Sequence, residues 1–238
     1  MKRLVKHLIL KVFAFLFRDD GPKVVYYHDV GTTYTDMGTP FELLKEHVAC
    51  ARKVGFSFVS KLEDLNSPKK LLMCFDDGFR GLWDERVYFF QEGIYPTVFI
   101  AVDLVGQSGY LTWDEIRELQ RHGFIFQSHT WSHRPLTDVL DEELSHELAD
   151  ARKAIGVELG FDPDMLCFPC GMYSQRVVEA ATAAGYRKLF VSYPGCVTRG
   201  ELLVPRNLVQ NLTTADFVHV VRGALCPLKK RYMRQHVR

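Results

Sequence analysis

The chain is 238 residues long with 47% hydrophobic content, enough to bury one sizeable core as a single domain. Thirty basic and twenty-nine acidic residues leave a formal net charge of +1, so overall charge implies no polyanionic partner and no nucleic acid. Six cysteines at scattered positions, mostly inside apolar runs, fit buried thiols in a reducing compartment better than a disulfide framework.

Met1 to Phe17 is basic at the front and apolar behind, but Lys6, His7 and Lys11 interrupt the apolar run. Arg18-Asp19-Asp20 follows where small residues should mark a signal cleavage site. The segment is also short for a bilayer span. It predicts a helix lying on the domain or on an anionic membrane surface, hence a cytoplasmic or membrane-peripheral protein, with secretion as the alternative.

Val24 to Tyr27 is β-rich and predicts a strand running into His28-Asp29. Pro40 and the periodicity after it predict a helix from Phe41 to Lys53, closed by Gly55 before a short strand, Phe56 to Val59. Leu71 to Phe75 is apolar without alternation, as a buried strand would be, and stops in Asp76-Asp77-Gly78. A helix over Trp83 to Gln91 ends at Glu92-Gly93, and Pro96 to Val102 is a strand. Thr112-Trp113-Asp114-Glu115 is a capping box that opens a helix to Arg121. Phe124 to Phe126 is another short apolar strand. Helix Asp141 to Leu159, strand Leu166 to Phe168, helix Gln175 to Ala184, strand Lys188 to Ser192 and helix Thr213 to Ala224 follow, before the basic segment Lys229 to Arg238. Alternating strands and helices predict a mainly parallel sheet, and about seven such units predict a closed barrel with functional residues at C-terminal strand ends. His28, Asp76-Asp77, His129 and Cys170 all fall at such ends.

Two adjacent carboxylates at one strand end repel each other, so a cation is expected to hold at least one ionised. An Asp-Asp-Gly stretch alone reads equally as a solvated turn. Further on, Gln127-Ser128-His129-Thr130-Trp131-Ser132-His133 carries histidines at i and i+4. That spacing predicts both imidazoles on one side of a helical turn, able to meet one divalent metal. One Asp with His129 and His133 makes a three-ligand set that leaves positions open for water and substrate.

Phe75-Asp76-Asp77-Gly78 followed by Ser128-His129-Thr130-Trp131-Ser132-His133 resembles the first two motifs of the polysaccharide deacetylases, the NodB-homology domain of carbohydrate esterase family 4. Cys167-Phe168-Pro169-Cys170-Gly171-Met172-Tyr173 is similar to a third motif in the branch that deacetylates poly-N-acetylglucosamine. The resemblance spans residues 23 to 210 and implies a distorted (β/α)7 barrel, an α/β fold of a single domain. The catalytic domain would occupy residues 21–225, between a basic amphipathic helix, residues 1–20, and a basic C-terminal tail, residues 226–238.

The resemblance implies a hydrolase that removes acetyl groups from N-acetylated amino sugars of a polysaccharide or glycan precursor. Asp77 would join His129 and His133 as ligands of a divalent metal, zinc first, with cobalt, nickel, manganese or iron(II) as alternatives. Asp76 would stay off the metal as general base, because a cation that neutralises one carboxylate lets its neighbour remain ionised and take a proton. The Cys170 backbone N–H would be the oxyanion donor, at a position where relatives often have Tyr, with Pro169, Gly171 and Tyr173 as supporting residues. Most members take their general acid from a late Leu-x-His motif, which this chain lacks. In the poly-N-acetylglucosamine branch an early Tyr-His segment supplies it, and Tyr27-His28-Asp29-Val30 resembles that segment, which makes His28 the acid. The third motif lacks the arginine of peptidoglycan-type relatives, and the Asp-x-x-Asp-Trp motif that orients their base is not recognisable; Arg206 is expected to contact the base instead.

Two other classes compete. A glycan-binding or scaffold domain would keep the fold without turnover, and a non-haem iron oxygenase also uses two His and one carboxylate. Cys167-x-x-Cys170 could be a redox pair, yet such motifs open a helix, whereas this one ends a strand. The expected partners are an N-acetylated glycan and, through residues 1–17, a membrane surface.

Overall fold

The structure, a computed structural model, describes residues 2–31 and 37–237, without the side chains of residues 2–6. Ten strands occur in chain order: β1 Lys23–Tyr27, β2 Asp29–Gly31, β3 Gly38–Pro40, β4 Ser57–Val59, β5 Lys70–Phe75, β6 Thr97–Ile100, β7 Ile125–Ser128, β8 Met165–Cys167, β9 Lys188–Val191 and β10 Leu203–Leu208. Every pairing is parallel, and seven strands close a ring in the order β1-β10-β9-β8-β7-β6-β5 and back to β1. This is the (β/α)7 barrel that the alternating pattern predicts.

The seven ring strands differ from the sequence reading in one place. The strand at residues 57–59 stands outside the ring, paired with Lys70–Leu72 of β5, while β6 pairs with Cys74–Phe75 further along. Its place in the ring goes to β10, which the sequence reading does not mark as a strand. Leu203-Val204-Pro205-Arg206-Asn207-Leu208 hides its period because proline and two polar residues interrupt the apolar run. The small parallel pair β2–β3 lies beside the barrel mouth.

Alternation explains how the core is divided. Val25, Tyr27, Leu71, Met73, Phe75, Val98 and Phe126 face outward under the helices. Val24, Tyr26, Leu72, Cys74, Phe99, Cys167, Phe190 and Val204 fill the interior, where the Phe99 and Phe190 rings meet at 4.8 Å. Each fully buried Phe contributes about 1.5–3 kcal/mol by leaving water. Carried on by two residues, the same inward face brings His28 after Tyr26, Asp76 after Cys74 and Arg206 after Val204. The period of two therefore delivers polar groups to one end of a packed interior.

The helices follow the expected signals. Thr112 and Glu115 form the capping box, with Thr112 N donating to Glu115 Oε2 at 2.9 Å, and the helix runs Trp113–Arg121. The helical run from Asp141 to Leu159 is continuous but contains a π turn over His146–Asp150. The basic C-terminal segment forms a helix, Lys229–His236, whose Tyr232 and Met233 pack on the cluster around Tyr173. Helix Lys2–Leu16 buries Leu10 and Ala14 against helix Thr214–Val221, and His7 Nδ1 lies 2.7 Å from Asp216 Oδ1. Among the described residues no helix is long and apolar enough to cross a membrane.

His47, on helix Phe41–Lys53, ties three elements together. Its Nε2–H donates to the Leu212 carbonyl at 2.9 Å, so Nδ1 is left to accept the Tyr27 hydroxyl at 3.0 Å, and its ring stacks on Phe217. Burial pushes it down to about 4, because a charged ring has no solvation there. The folded value lies below the unfolded ~6.5, so the unfolded chain binds the extra proton between the two. The stability carried by neutral His47 is therefore complete above pH ~6.5 and is lost as pH falls from there toward about 4. We expect this to amount to on the order of 3 kcal/mol. Urea midpoints of the wild type should fall across that window, while His47→Gln should be less stable at neutral pH but flatter in pH. Parallel pH profiles for the two proteins would assign the effect to other groups.

Candidate active site at the barrel mouth

The end of β5 carries the acidic pair. Asp76 N donates to the Tyr27 carbonyl at 3.1 Å, which extends the β1–β5 ladder by one residue and keeps the Asp76 side chain on the inward face. Asp77 then adopts φ 69° and Gly78 φ 77°, so the chain reverses direction and Asp77 emerges beside the mouth. A Cβ at Gly78 would come within 2.9 Å of Ile100 Cγ2, so only glycine fits this turn.

Asp76 is buried and ion-paired. Arg206 Nη1 donates to its Oδ1 at 2.6 Å, and the guanidinium, itself 1% exposed, lies over the Tyr26 ring at 4.1 Å. The Cys167 thiol sits 3.8 Å from the other carboxylate oxygen. Burial alone would raise the Asp76 carboxyl, but the Arg206 guanidinium holds it below the usual carboxylate range. Burial would lower the guanidinium in turn, and Asp76 overrides it upward.

The two histidines meet differently from the sequence expectation. They do not share a helical turn: His129 ends the β7 extension, and the chain to His133 is a loop with Thr130 at φ 72° and His133 at φ 61°. Left-handed residues fold the loop back, so the rings still come together, with centroids 4.7 Å apart. His129 N donates to the Ile100 carbonyl at 2.8 Å, and Thr130 Oγ1 accepts His133 N at 3.2 Å. Glu147, 1% exposed and on the π turn, accepts Trp131 N at 3.2 Å and Ser132 N at 3.0 Å.

Asp77, His129 and His133 converge, with His133 Nε2 3.0 Å and His129 Nε2 3.4 Å from Asp77 Oδ1. His129 Nδ1 lies 2.7 Å from the Cys167 carbonyl. A carbonyl only accepts, so Nδ1 carries the hydrogen and the Nε2 of the neutral ring presents a lone pair to a carboxylate oxygen. Asp77 Oδ1 is buried and has no hydrogen-bond partner. The His129 lone pair and the Asp77 carboxylate oxygen repel unless a cation lies between them, and His133 Nε2 reaches the same point, so this donor set fits a divalent metal.

The third motif closes another side of the mouth. Cys170 is left-handed at φ 55° and exposed, and burial together with Asp77 raises its thiol, which places it within electrostatic range of the triad. Pro169 and Gly171 are buried beside it, and a Cβ at Gly171 would meet Ser192 at 2.5 Å. Phe168 stacks on Tyr173 at 5.2 Å, and Tyr173 N donates to the His236 carbonyl of the C-terminal helix at 3.0 Å. Cys167 and Cys170 are both free thiols; Cys167 points into the barrel and Cys170 is exposed. His28, at the end of β1, has Nδ1 2.6 Å from Gln210 Oε1.

The structure thus brings His28, Asp76, Asp77, His129, His133, Cys170 and Arg206 to one end of the barrel, with Pro169, Gly171 and Tyr173 in the adjoining loop. Sequence reasoning missed Glu147 and Gln210. Glu147 had a signal: it falls with Leu144, Leu148 and Ala151 on the apolar face of its helix, where an unpaired acid is costly. Gln210 had none, since only the closure of the barrel brings it to His28.

The model of the polysaccharide deacetylase family matches residues 64–189, and the chain belongs to that family. YxkH of Bacillus subtilis (strain 168), named for the same family, is 26% identical over 136 residues, 57% of this chain and 49% of its own length. The matched segment spans about half the length of the curated relatives. IcaB from Ammonifex degensii shares the fold at TM-score 0.76 and 20% identity, over 87% of this chain and 98% of that one. The Streptococcus pyogenes deacetylase PplD, solved with acetate, does so at TM-score 0.75 and 17% identity, over 84% and 97%.

Removing Arg206 should leave a buried carboxylate without its partner. We expect Arg206→Met to cost about 3–5 kcal/mol in urea unfolding, with much of it recovered in Arg206→Met/Asp76→Asn. Additive losses in that cycle would mean that the two side chains are not coupled.

Proposed function

We propose that the chain is a divalent-metal-dependent deacetylase of N-acetylated amino sugars in a polysaccharide or glycan precursor, on the pattern of the poly-N-acetylglucosamine branch. The observation that carries this reading is the cation-demanding set of Asp77, His129 and His133 beside a second, buried carboxylate held ionised by Arg206. Membership of the polysaccharide deacetylase family supports removal of acetyl groups from sugars. The branch assignment rests on His28 at the end of β1.

Asp77, His129 and His133 would hold the metal, zinc first, which when bound polarises the acyl carbonyl and lowers the pKa of water. Asp76 is the general base: Arg206 keeps it ionised and fixes one oxygen, leaving the other to accept a proton. The Cys170 backbone N–H donates to the oxyanion that develops on the acyl oxygen. His28 is the general acid. As the imidazolium, His28 keeps Nδ1–H on Gln210 Oε1 and hands its Nε2 proton to the departing amine, leaving the neutral ring. Helix Lys2–Leu16, packed on helix Thr214–Val221, would lie against a membrane surface with its exposed apolar side.

Purified protein should carry one divalent ion per chain, and His129→Ala/His133→Ala should lose it by elemental analysis. Asp76→Asn should keep the ion but lose ~10²–10⁴ in rate, whereas Asp77→Asn should weaken metal binding. The opposite pattern in metal titrations would reverse the two roles.

His28→Ala should spare the metal and slow an amide far more than an activated ester, whose leaving group departs without a proton. The readout is two rates on one variant, each relative to wild type. Equal losses on both substrates would make His28 structural.

A further inference from the structure

Beside the proposed catalytic mouth, and sharing Arg206 and Gln210 with it, lies a cavity of about 230 Å³ to which the chemistry above assigns no ligand. Its inner end is formed by Tyr26, Arg206 and Gln210, the residues that touch Asp76 and His28. The rest of its lining is mostly apolar, with Leu10, Leu212 and Leu225, and takes Tyr232 and His236 from the C-terminal helix and Ser192 from the loop after β9. Arg206 and Gln210 are already engaged by Asp76 and His28, and the rest of the lining is mostly apolar, which suits hydrocarbon better than a second sugar ring. The volume is also below the ~300–1,000 Å³ of sites that enclose a whole small molecule, so it suits a stretch of hydrocarbon chain.

What such a chain would be attached to follows from the helices around the cavity. Helix Lys2–Leu16 gives Leu10 to the cavity and turns Leu8, Ile9, Phe15 and Leu16 outward, with Phe15 85% exposed. An apolar stripe of this kind on a basic helix is the pattern of an element that settles into a bilayer interface. Its sequence holds Lys2, Arg3, Lys6 and Lys11, and helix Lys229–His236 holds Lys229, Lys230, Arg231 and Arg234. Neither helix contains an acidic residue. Two helices whose charged residues are all basic flank a mostly apolar cavity and complement an anionic lipid.

We infer that the sugar this enzyme deacetylates is carried on an anionic lipid, with the first part of the lipid chain in the cavity and the rest in the bilayer under helix Lys2–Leu16. The inference rests on the deacetylase reading for the reaction, but the lipid site stands on its own geometry. The acetylated sugar would enter the mouth from the membrane side, with the phosphate that joins it to the lipid near the basic helices.

The test compares the metal-loaded full chain on N-acetylglucosamine carried on farnesyl phosphate in phosphatidylglycerol vesicles and on free N-acetylglucosamine oligomers. The lipid-linked sugar should be the better substrate. Leu225→Trp, which fills the cavity, and Leu8→Glu/Phe15→Glu, which charges the outer stripe, should each lower the ratio of the two rates on the order of tenfold. The surface double variant covers the case in which Leu225→Trp misfolds. Binding of farnesyl phosphate by calorimetry reads the site without turnover and should be lost in Leu225→Trp. Preference for the free oligomer, or farnesyl phosphate binding unchanged by a folded Leu225→Trp, would overturn the lipid site. Hydrolysis of neither sugar with farnesyl phosphate binding intact would overturn the deacetylase reading and leave the lipid site supported.

Discussion

The buried pair Asp76–Arg206 is the interaction on which the rest of the mouth depends. Asp76 ends β5 and Arg206 lies on β10, the strand that closes the ring, so one contact of 2.6 Å joins barrel closure to the candidate chemistry. Taking both charges out of water costs several kcal/mol each, and attraction offsets this only if the geometry is good. Here the guanidinium lies over the Tyr26 ring at 4.1 Å and near Phe99, and its Nε also donates to the Val191 carbonyl at 3.4 Å. A lysine could supply the charge but neither the stacking nor the second donor. The result is a carboxylate that stays ionised in a site where burial alone would neutralise it.

The loops around that pair store backbone strain. Six non-glycine residues among those described have positive φ, and Asp77, Thr130, His133 and Cys170 are four of them. Each costs on the order of 1–2 kcal/mol and persists only where its surroundings over-determine it. The surroundings do so here: Glu147 takes the loop amides between His129 and His133, and Ile100 and Ser192 leave no room beside Gly78 and Gly171. Strain at these positions turns residues that are neighbours in sequence toward a common point, as Asp77 and the two histidines require.

The terminal helices extend the mouth beyond the barrel. The N-terminal helix packs on helix Thr214–Val221, and the C-terminal helix holds the third-motif loop through the His236 carbonyl. Both supply walls to the cavity that begins at Arg206 and Gln210. Part of the lining of that cavity thus comes from segments outside the ring.

Local patterns were enough to read the alternating elements, the capping box at Thr112, the acidic pair at the end of β5 and the histidine pair after β7. Those features arise from periodicity and turn chemistry within a few residues of one another. The parallel barrel followed from their order. The closing strand did not, because Pro205 and Arg206 break its apolar pattern and only pairing with β1 and β9 makes it a strand. The helical turn expected at His129–His133 gave way to a left-handed loop, since hydrogen bonds to Glu147, fourteen positions beyond His133, outweigh local spacing. Gln210 meets His28 across 182 positions of chain, and Arg206 meets Asp76 across 130, the latter expected from the family resemblance and not from any local pattern. Contacts at that separation leave no trace in local composition; they exist only once the ring is closed.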